Sequence, residues 1–565
     1  MISNSEISRL FGLFAELLLL HQQDERLSVL LSGAAYRTRR MEEPVVEMNS
    51  SKWAELFRPQ IIKLIKELKN TGTLQVLDEL IQLTPSGLFE MMRIKGLGGK
   101  KLAILWKTAG IDNLEDLLQA AKNKELRQVP GFAAKTESNI IQNIEDYFSH
   151  KERFHYAFVA DIANSLVEAM KKLFKTKLIS LCGEIRREAL TVGAIEIIAA
   201  GIEKKMSDSR LRKHLISLAS GKGQTRAYTL DEIPVVIRHV KMGDFYFELF
   251  NQTGNEAHVK KIFSGLDSKA KFASEEMIYK KAGFPFIIPA MRENIAEWNF
   301  KRTADDLITE KDIRGVVHNH TRWSDGIDRL EEFVKACIRR GYEYAVISDH
   351  SKNAHYAGGL REEKLSRQLD EIGQLNKLLA PFRIFKSIEC DILVSGELDY
   401  SPEVLEQLDL VIVSVHQLLK MDEEKATNRL IRAIENPYTT ILGHMTGRQL
   451  LIRPGYPVHF KKVIDACAAN EVIIEINANP YRLDMDWTQI PYALKKGVMI
   501  SINPDAHSIG EIDNIKWGVS AARKGGLTKD MTWNAMGLRG IERWLNKRRK
   551  NKMIAAKGEG PLVTS

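Results

Sequence analysis

From about residue 312 the sequence settles into an alternation that few folds can accommodate: short apolar runs, nearly all closed by a metal-binding side chain and separated by amphipathic segments. The runs are GVVHNH, YAVISDH, IFKSIECDI, LDLVIVSVH, TTILGHM, VIIEINAN and VMISINPDAH, with LEEFVKACIRRG and SPEVLEQL among the segments between them. Runs of this length between helical patterns predict βα units around a parallel sheet or barrel. A barrel opens the carboxyl ends of all its strands onto one face. His318, His320, Asp325, His350, Glu389, His416, His444, Asp505 and His507 are therefore expected to meet in one pocket. In HNHTRWSDG, an extended strand would put residues i and i+2 on the same side, so His318 and His320 should converge while Asn319 faces away. Each histidine alone is an ordinary core or surface group; their shared position at strand ends is the signal.

Imidazoles mixed with carboxylates suit Mn²⁺ or Zn²⁺, whereas Mg²⁺ prefers mainly oxygen ligands. A carboxylate such as Glu389 can bridge two ions, and such a centre hydrolyses phosphoesters with activated water, without a side-chain nucleophile. Arg448 and Arg453 are candidates for holding the remaining phosphate oxygens through forked hydrogen bonds.

At 565 residues the chain exceeds one compact core and should hold several domains. Its net charge of +9 is compatible with a polyanionic partner, but a small excess does not decide the matter. Four cysteines lie far apart with no C-x-x-C pair, which argues against a disulfide framework or a thiolate zinc ribbon and points to a reducing cytoplasm. The opening run LFGLFAELLLLH contains Glu16 and reads as a packed helix rather than a secretory signal. No apolar stretch approaches the ~20 residues that a membrane span needs.

In the other half, MRIKGLGGKKLAILW places Gly96 and Gly98 between two helical patterns, with Lys100 and Lys101 opening the second. This is a helix-hairpin-helix pattern, whose turn amides can bind a DNA phosphate. A second copy, LRQVPGFAAKTESNII, offers Gly131 and Lys135 and has Ala133 where the second glycine would stand.

Residues 312 to 540 closely resemble the PHP (polymerase and histidinol phosphatase) domain through HNH, SDG, SDH, IECD, SVH, GH and PDAH. That resemblance implies a distorted (β/α)7 barrel with two or three divalent ions held by the nine residues named above. The order around the hairpins resembles a bacterial family X DNA polymerase along essentially the whole chain. AYRTRR at 35–40 is similar to its small helical domain, and GEIRREALTVGAIEII to its palm. The family's three palm aspartates would fall at Ala194, Glu196 and Val236, so two carboxylates are lost and the third has become a longer acid. Nucleotidyl transfer needs charge-dense oxygen ligands there, and polymerase activity is expected to be lost. AELFRPQIIKLIKEL also lacks the glycine turn of the small domain; Pro59 suits a helix start, not a phosphate cradle.

The resemblance implies an α/β multidomain chain: a helical small domain (1–85), a helix-hairpin-helix domain (86–148) and a degenerate nucleotidyltransferase-like α+β palm with thumb (149–300). A polar linker (301–312), a PHP metallo-phosphoesterase domain (313–550) and a flexible tail (551–565) follow. The function it implies is a metal-dependent phosphodiesterase on DNA, a 3′→5′ exonuclease or an enzyme of 3′-end or abasic-site processing in repair. A phosphomonoesterase of the histidinol-phosphatase type and a non-catalytic DNA-binding scaffold are the alternatives; metal identity and oligomeric state stay open.

Overall fold

The computed structural model describes residues 2–556 except 3, 42, 93, 95, 151, 152, 204, 205, 207, 208, 222 and 265–270. They form two compact units, residues 1–151 and 152–565.

The first unit is helical. Ile7, Phe11, Phe14, Leu17 and Leu18 recur at helical spacing on Asn4–Leu20 and are all buried. The next helix, Glu25–Arg39, starts where the Asp24 carboxylate accepts from Leu27 N. One apolar core runs from these helices to Leu102, Leu105, Leu117, Ile140 and Ile144 on the hairpin helices, so it crosses the expected boundary at residue 85. Gly99 permits one of the close approaches in this core, because a Cβ there would lie 2.3 Å from the Glu16 carbonyl oxygen. Pro59 opens helix Pro59–Thr71 as its fixed φ suggests.

The second unit begins with a two-stranded pair, β1 (Phe154–His155) and β3 (Thr191–Val192). A mixed sheet follows, built from β2 (Ile179–Leu181), β4 (Ile195–Ala200), β5 (Leu215–Gly221), β6 (Gln224–Thr229) and β7 (Pro234–Val240), in the order β2-β4-β7-β6-β5. β4 and β7 run parallel; the other neighbours are antiparallel. Helix Tyr156–Phe174 covers one face with Val159, Ala163, Leu166 and Met170. Three short helices then close around His258, whose ring nitrogens meet Glu297 at 3.0 Å and the Tyr279 hydroxyl at 2.8 Å.

The rest carries β8 (Gly315–Asn319), β9 (Tyr344–Ile347), β10 (Arg383–Lys386), β11 (Glu389–Asp391), β12 (Val411–Ser414), β13 (Thr439–Leu442), β14 (Ile473–Asn477) and β15 (Ile500–Asn503). They form two sheets, β10-β9-β8 and β11-β12-β13-β14-β15, with every pairing parallel. Parallel bridges between His350 and Glu389 and between Asn319 and Ala506 join the two sheets at two places. The run IFKSIECDI is thus split over β10 and β11. Nearly every residue in these strands is buried, as expected where helices cover a parallel sheet.

The expected polar linker is packed into the fold. Thr303 with Asp306 and Thr309 with Asp312 make capping boxes, Leu307 and Ile308 are buried between them, and Ile308 N donates to Leu527 O at 3.0 Å. Two apolar side chains outweigh the polarity of the surrounding sequence. Of the expected flexible tail, residues 551–556 belong to helix Leu538–Ala556; its remainder, residues 557–565, lies outside the described residues.

Lys524 welds the mixed-sheet region to the parallel-sheet region. Its ammonium donates to Arg187 O at 2.6 Å, Ala290 O at 3.1 Å and Glu293 Oε1 at 2.8 Å, with the side chain 1% exposed. Burial pushes its pKa down and Glu293 opposes that shift. Removing one partner of a buried ion pair costs about 3 kcal/mol or more. Lys524→Ala should therefore lower the unfolding free energy measured in denaturant by an amount of that order, with a lower midpoint; an unchanged midpoint would contradict the weld.

Candidate metal centre

The ends of β8, β9, β11, β12, β13 and β15 bring all nine expected side chains together. Four overlapping groups place their ligand atoms within 4.8 Å of one another: His320, Asp325, His350 and His507; His318, Glu389 and His444; His318, His320 and Asp505; and His350, Glu389 and His416. Glu389 is central. Its Oε1 lies 2.9 Å from His444 Nε2, 3.1 Å from His416 Nε2 and 3.2 Å from His318 Nε2. Its Oε2 lies 2.8 Å from His350 Nδ1 and 3.6 Å from His320 Nε2. Asp505 and Asp325 bound the other side, 3.2 Å from His320 Nε2 and 3.3 Å from His507 Nε2.

The two histidines of HNH do converge, with ring centroids 5.3 Å apart, but not by the expected strand geometry. His318 has φ 64° and the β8–β9 register shifts between Val316 and Asn319, so a bulge, not a regular pleat, aims the rings. Asp505 also occupies left-handed backbone, at φ 52°. Strain of this kind costs about 1–3 kcal/mol per residue and gathers where function over-determines the backbone.

Carboxylates and carbonyls behind the cluster set the tautomers. Glu475 Oε2 accepts from His318 Nδ1 at 2.6 Å, which turns Nε2 inward, and Asn503 donates to the same carboxylate at 2.7 Å. Asp391 does the same for His416 through Nδ1, and the Asp505 carbonyl for His507 at 3.0 Å. Asp349 accepts from Thr321 N and Ser324 N and so fixes the SDG turn that presents Asp325. Burial alone would depress the His318 pKa, but Glu475, Glu389 and Asp505 prevail and raise it. His320 is pushed down to about 3 by burial and by His507 and His350. Burial would raise Glu389, yet His416, His318 and His350 hold it well below the ordinary carboxylate range.

These residues fit divalent cations. Among the described residues, both ring nitrogens of His320, His318 Nε2 and Glu389 Oε2 are buried without a hydrogen-bond partner. Such atoms are costly unless something positive engages them. The separations of about 3 Å match adjacent ligands at ~2.1 Å from one ion.

Arg448 is removed from the phosphate-binding candidates. Its guanidinium is consumed internally, by Arg482 O at 2.9 Å and by Asp486 and Leu483 O. Arg453 is half committed, with Nε and Nη2 both donating to Gly447 O. Sequence reasoning missed Arg482, whose Nε lies 3.6 Å from Asp505 Oδ2, and also Glu475 and Tyr356. Glu475 had a readable signal, an acid in the middle of the buried run VIIEINAN; the other two had none.

In the first unit, Gly96 has φ 82° and Gly98 caps helix Gly99–Ala109, as a hairpin turn requires. However, the amide of Gly99 donates to Glu16 Oε2 at 2.6 Å, Lys100 pairs with Glu25 at 2.9 Å and Lys101 Nζ bonds Gly96 O. A carboxylate of the chain already sits at this helix start. At the second hairpin Gly131 has φ 86° and Lys135 is exposed at the start of helix Ala134–His150. In the mixed sheet, Glu196 on β4 registers with Val236 on β7, and Ala194 immediately precedes β4. Arg238 neutralises Glu196 at 2.9 Å.

Residues 89–146 match the family described as a SAM-like helix-hairpin-helix tandem. The DNA polymerase/3′-5′ exonuclease PolX of Bacillus subtilis (strain 168) is 32% identical over 506 residues, which cover 86% of this chain and 89% of that protein. A probable phosphatase of Thermoanaerobacter sp. (strain X514) is 26% identical, over 39% of this chain and 89% of its own length. The probable phosphatase YcdX of Escherichia coli O81 (strain ED1a) is 27% identical, over 29% and 64%. With a relative this similar along nearly its whole length, the chain belongs to the bacterial family X DNA polymerases that carry a C-terminal PHP domain.

Proposed function

We propose that the chain is a PHP-type metal-dependent phosphodiesterase acting on DNA, a 3′→5′ exonuclease or 3′-end processing enzyme of repair whose polymerase centre is silent. The observation that carries the reading is Glu389, whose two oxygens face separate sets of imidazoles, as a carboxylate shared between two ions would. The parallel-sheet region is taken as the (β/α)7 PHP barrel. His318, His320, Asp325, His350, Glu389, His416, His444, Asp505 and His507 would hold two or three ions, Mn²⁺ or Zn²⁺ by their donor types. When bound, such ions supply activated water and offset charge on the phosphoryl oxygens. The chain's own part is orientation: Glu475 and Asp391 keep protons on His318 and His416 Nδ1 so that each Nε2 faces the pocket. Arg482 lies where its guanidinium can take a phosphate oxygen.

The named activity of the Bacillus relative and the tandem hairpin match support DNA as substrate. The palm positions support loss of polymerisation, since Ala194 and Val236 bear no ligand and Glu196 is already paired with Arg238. The phosphatase relatives keep a monoesterase reading in play, and one experiment separates the two. Purified Mn²⁺- or Zn²⁺-loaded protein should shorten end-labelled single-stranded and gapped DNA and leave histidinol phosphate nearly untouched. Nucleotide incorporation should be undetectable. His318→Ala should abolish hydrolysis while DNA retention on a filter is unchanged; the opposite substrate preference would sink the phosphodiesterase.

Loss of an orienting carboxylate typically costs about 10–100-fold in metal affinity. Glu475→Gln should show that drop in chelator competition, whereas a value equal to wild type would contradict the tautomer argument. For DNA, the phosphate-binding turn is assigned to the second hairpin, because Glu16 occupies the first. Glu16→Gln removes a charge at a helix start worth about 0.3–1 kcal/mol. It should strengthen DNA binding severalfold and steepen its salt dependence; weakened or unaltered binding would show that Glu16 does not screen the turn.

A further inference from the structure

Tyr356 is an anomaly at the mouth of the metal centre. The residue is 68% exposed, yet its ring centroid lies only 6.2 Å from that of His350 and 6.4 Å from that of His416. Its turn is firmly anchored: Ala357 N donates to Ala354 O at 3.0 Å, Gly359 N to Ala354 O at 3.1 Å, and Leu360 N reaches back to His350 O at 2.8 Å. A Cβ on Gly359 would stand 2.0 Å from Ser351 O, so the backbone there has no room to shift. A large aromatic side chain is therefore displayed in water beside the site by a rigid support. Arg482 stands at the same metal centre, its Nε 3.6 Å from Asp505 Oδ2.

Aromatic faces in water beside a phosphate-processing centre suit one chemistry above others. Every nucleobase has a π face, and stacking on an exposed aromatic is tolerant of sequence. Stacking also requires a base freed from its duplex partner, which a strand end provides.

We propose that Tyr356 is the stacking platform for the base of the nucleotide being released, while Arg482 takes a free oxygen of its phosphate. The site thereby selects an unpaired terminal nucleotide over a small phosphate monoester. This rests on the phosphodiesterase reading and adds to it a specificity determinant that acts on the base, not on the metal ligands.

The test uses the full chain loaded with Mn²⁺ and two end-labelled oligonucleotides, one with an ordinary 3′ nucleotide and one with an abasic 3′ residue. Tyr356→Ala should raise KM about tenfold on the ordinary end with little change in kcat, and leave the abasic end unaffected. Tyr356→Phe and Tyr356→Trp should behave like wild type, because they keep the ring. Arg482→Ala should slow both substrates alike. Equal effects of Tyr356→Ala on both ends, or an unchanged KM, would overturn the platform while leaving the phosphodiesterase intact. A loss in Tyr356→Phe as large as in Tyr356→Ala would do so too, by assigning the effect to the hydroxyl. If the wild type cleaves neither oligonucleotide but hydrolyses histidinol phosphate, the parent reading falls and the platform falls with it.

Discussion

A carboxylate removed from water must be met by positive charge or by hydrogen bonds, and Glu389 is 1% exposed with five imidazoles turned toward it. Much of the second unit serves that requirement. Parallel strands deliver His318, His350, His416 and His444 from separate elements, and Glu475 and Asp391 orient two of them from behind. Left-handed backbone at His318 and Asp505 completes the convergence. Among the described residues, ring nitrogens of His318 and His320 and one oxygen of Glu389 are nevertheless buried without a hydrogen-bond partner, and for this reason the centre reads as a metal site.

Elsewhere the reverse condition holds, in which charged groups are paired within the chain itself. Glu196 is held by Arg238 across β4 and β7, and nearby Arg186 forks onto Glu275, so these charges already have partners in the chain. Glu16 occupies the amide of Gly99 in the same way. Yet the mixed sheet is not detached from the parallel-sheet region. Lys524 is buried among Arg187, Ala290 and Glu293, and the His155 ring, on β1, bonds the Leu450 carbonyl at 3.0 Å and packs edge-on against Tyr481. Tyr481 adjoins Arg482, so this contact ties the mixed-sheet region to the neighbourhood of the metal centre.

Repeated short apolar runs, each with a ligand at or near its end, made the strands and nine candidate ligands legible in order along the chain, because strand direction and strand end are one-dimensional properties. The aliphatic side chains of Ala194 and Val236 were equally plain to read, since a hydrocarbon side chain cannot ligate in any fold. Arg448 was misread for the opposite reason: whether a guanidinium is free depends on acceptors such as Asp486 and Leu483 O, which only folding brings within reach. The pairing of Glu16 with a turn more than eighty residues away was hidden by the same long-range closure.

By itself, then, the sequence determined the kinds of ligand, their order and the strands that carry them, because periodicity and side-chain chemistry survive without coordinates. Only the tertiary structure decided which nitrogen of each histidine faces inward, which arginine remains at the pocket, which hairpin is already capped and where Tyr356 stands. Each of these depends on distances of a few ångströms between residues remote in the chain, and hydrogen bonds and ion pairs lose most of their strength beyond such distances.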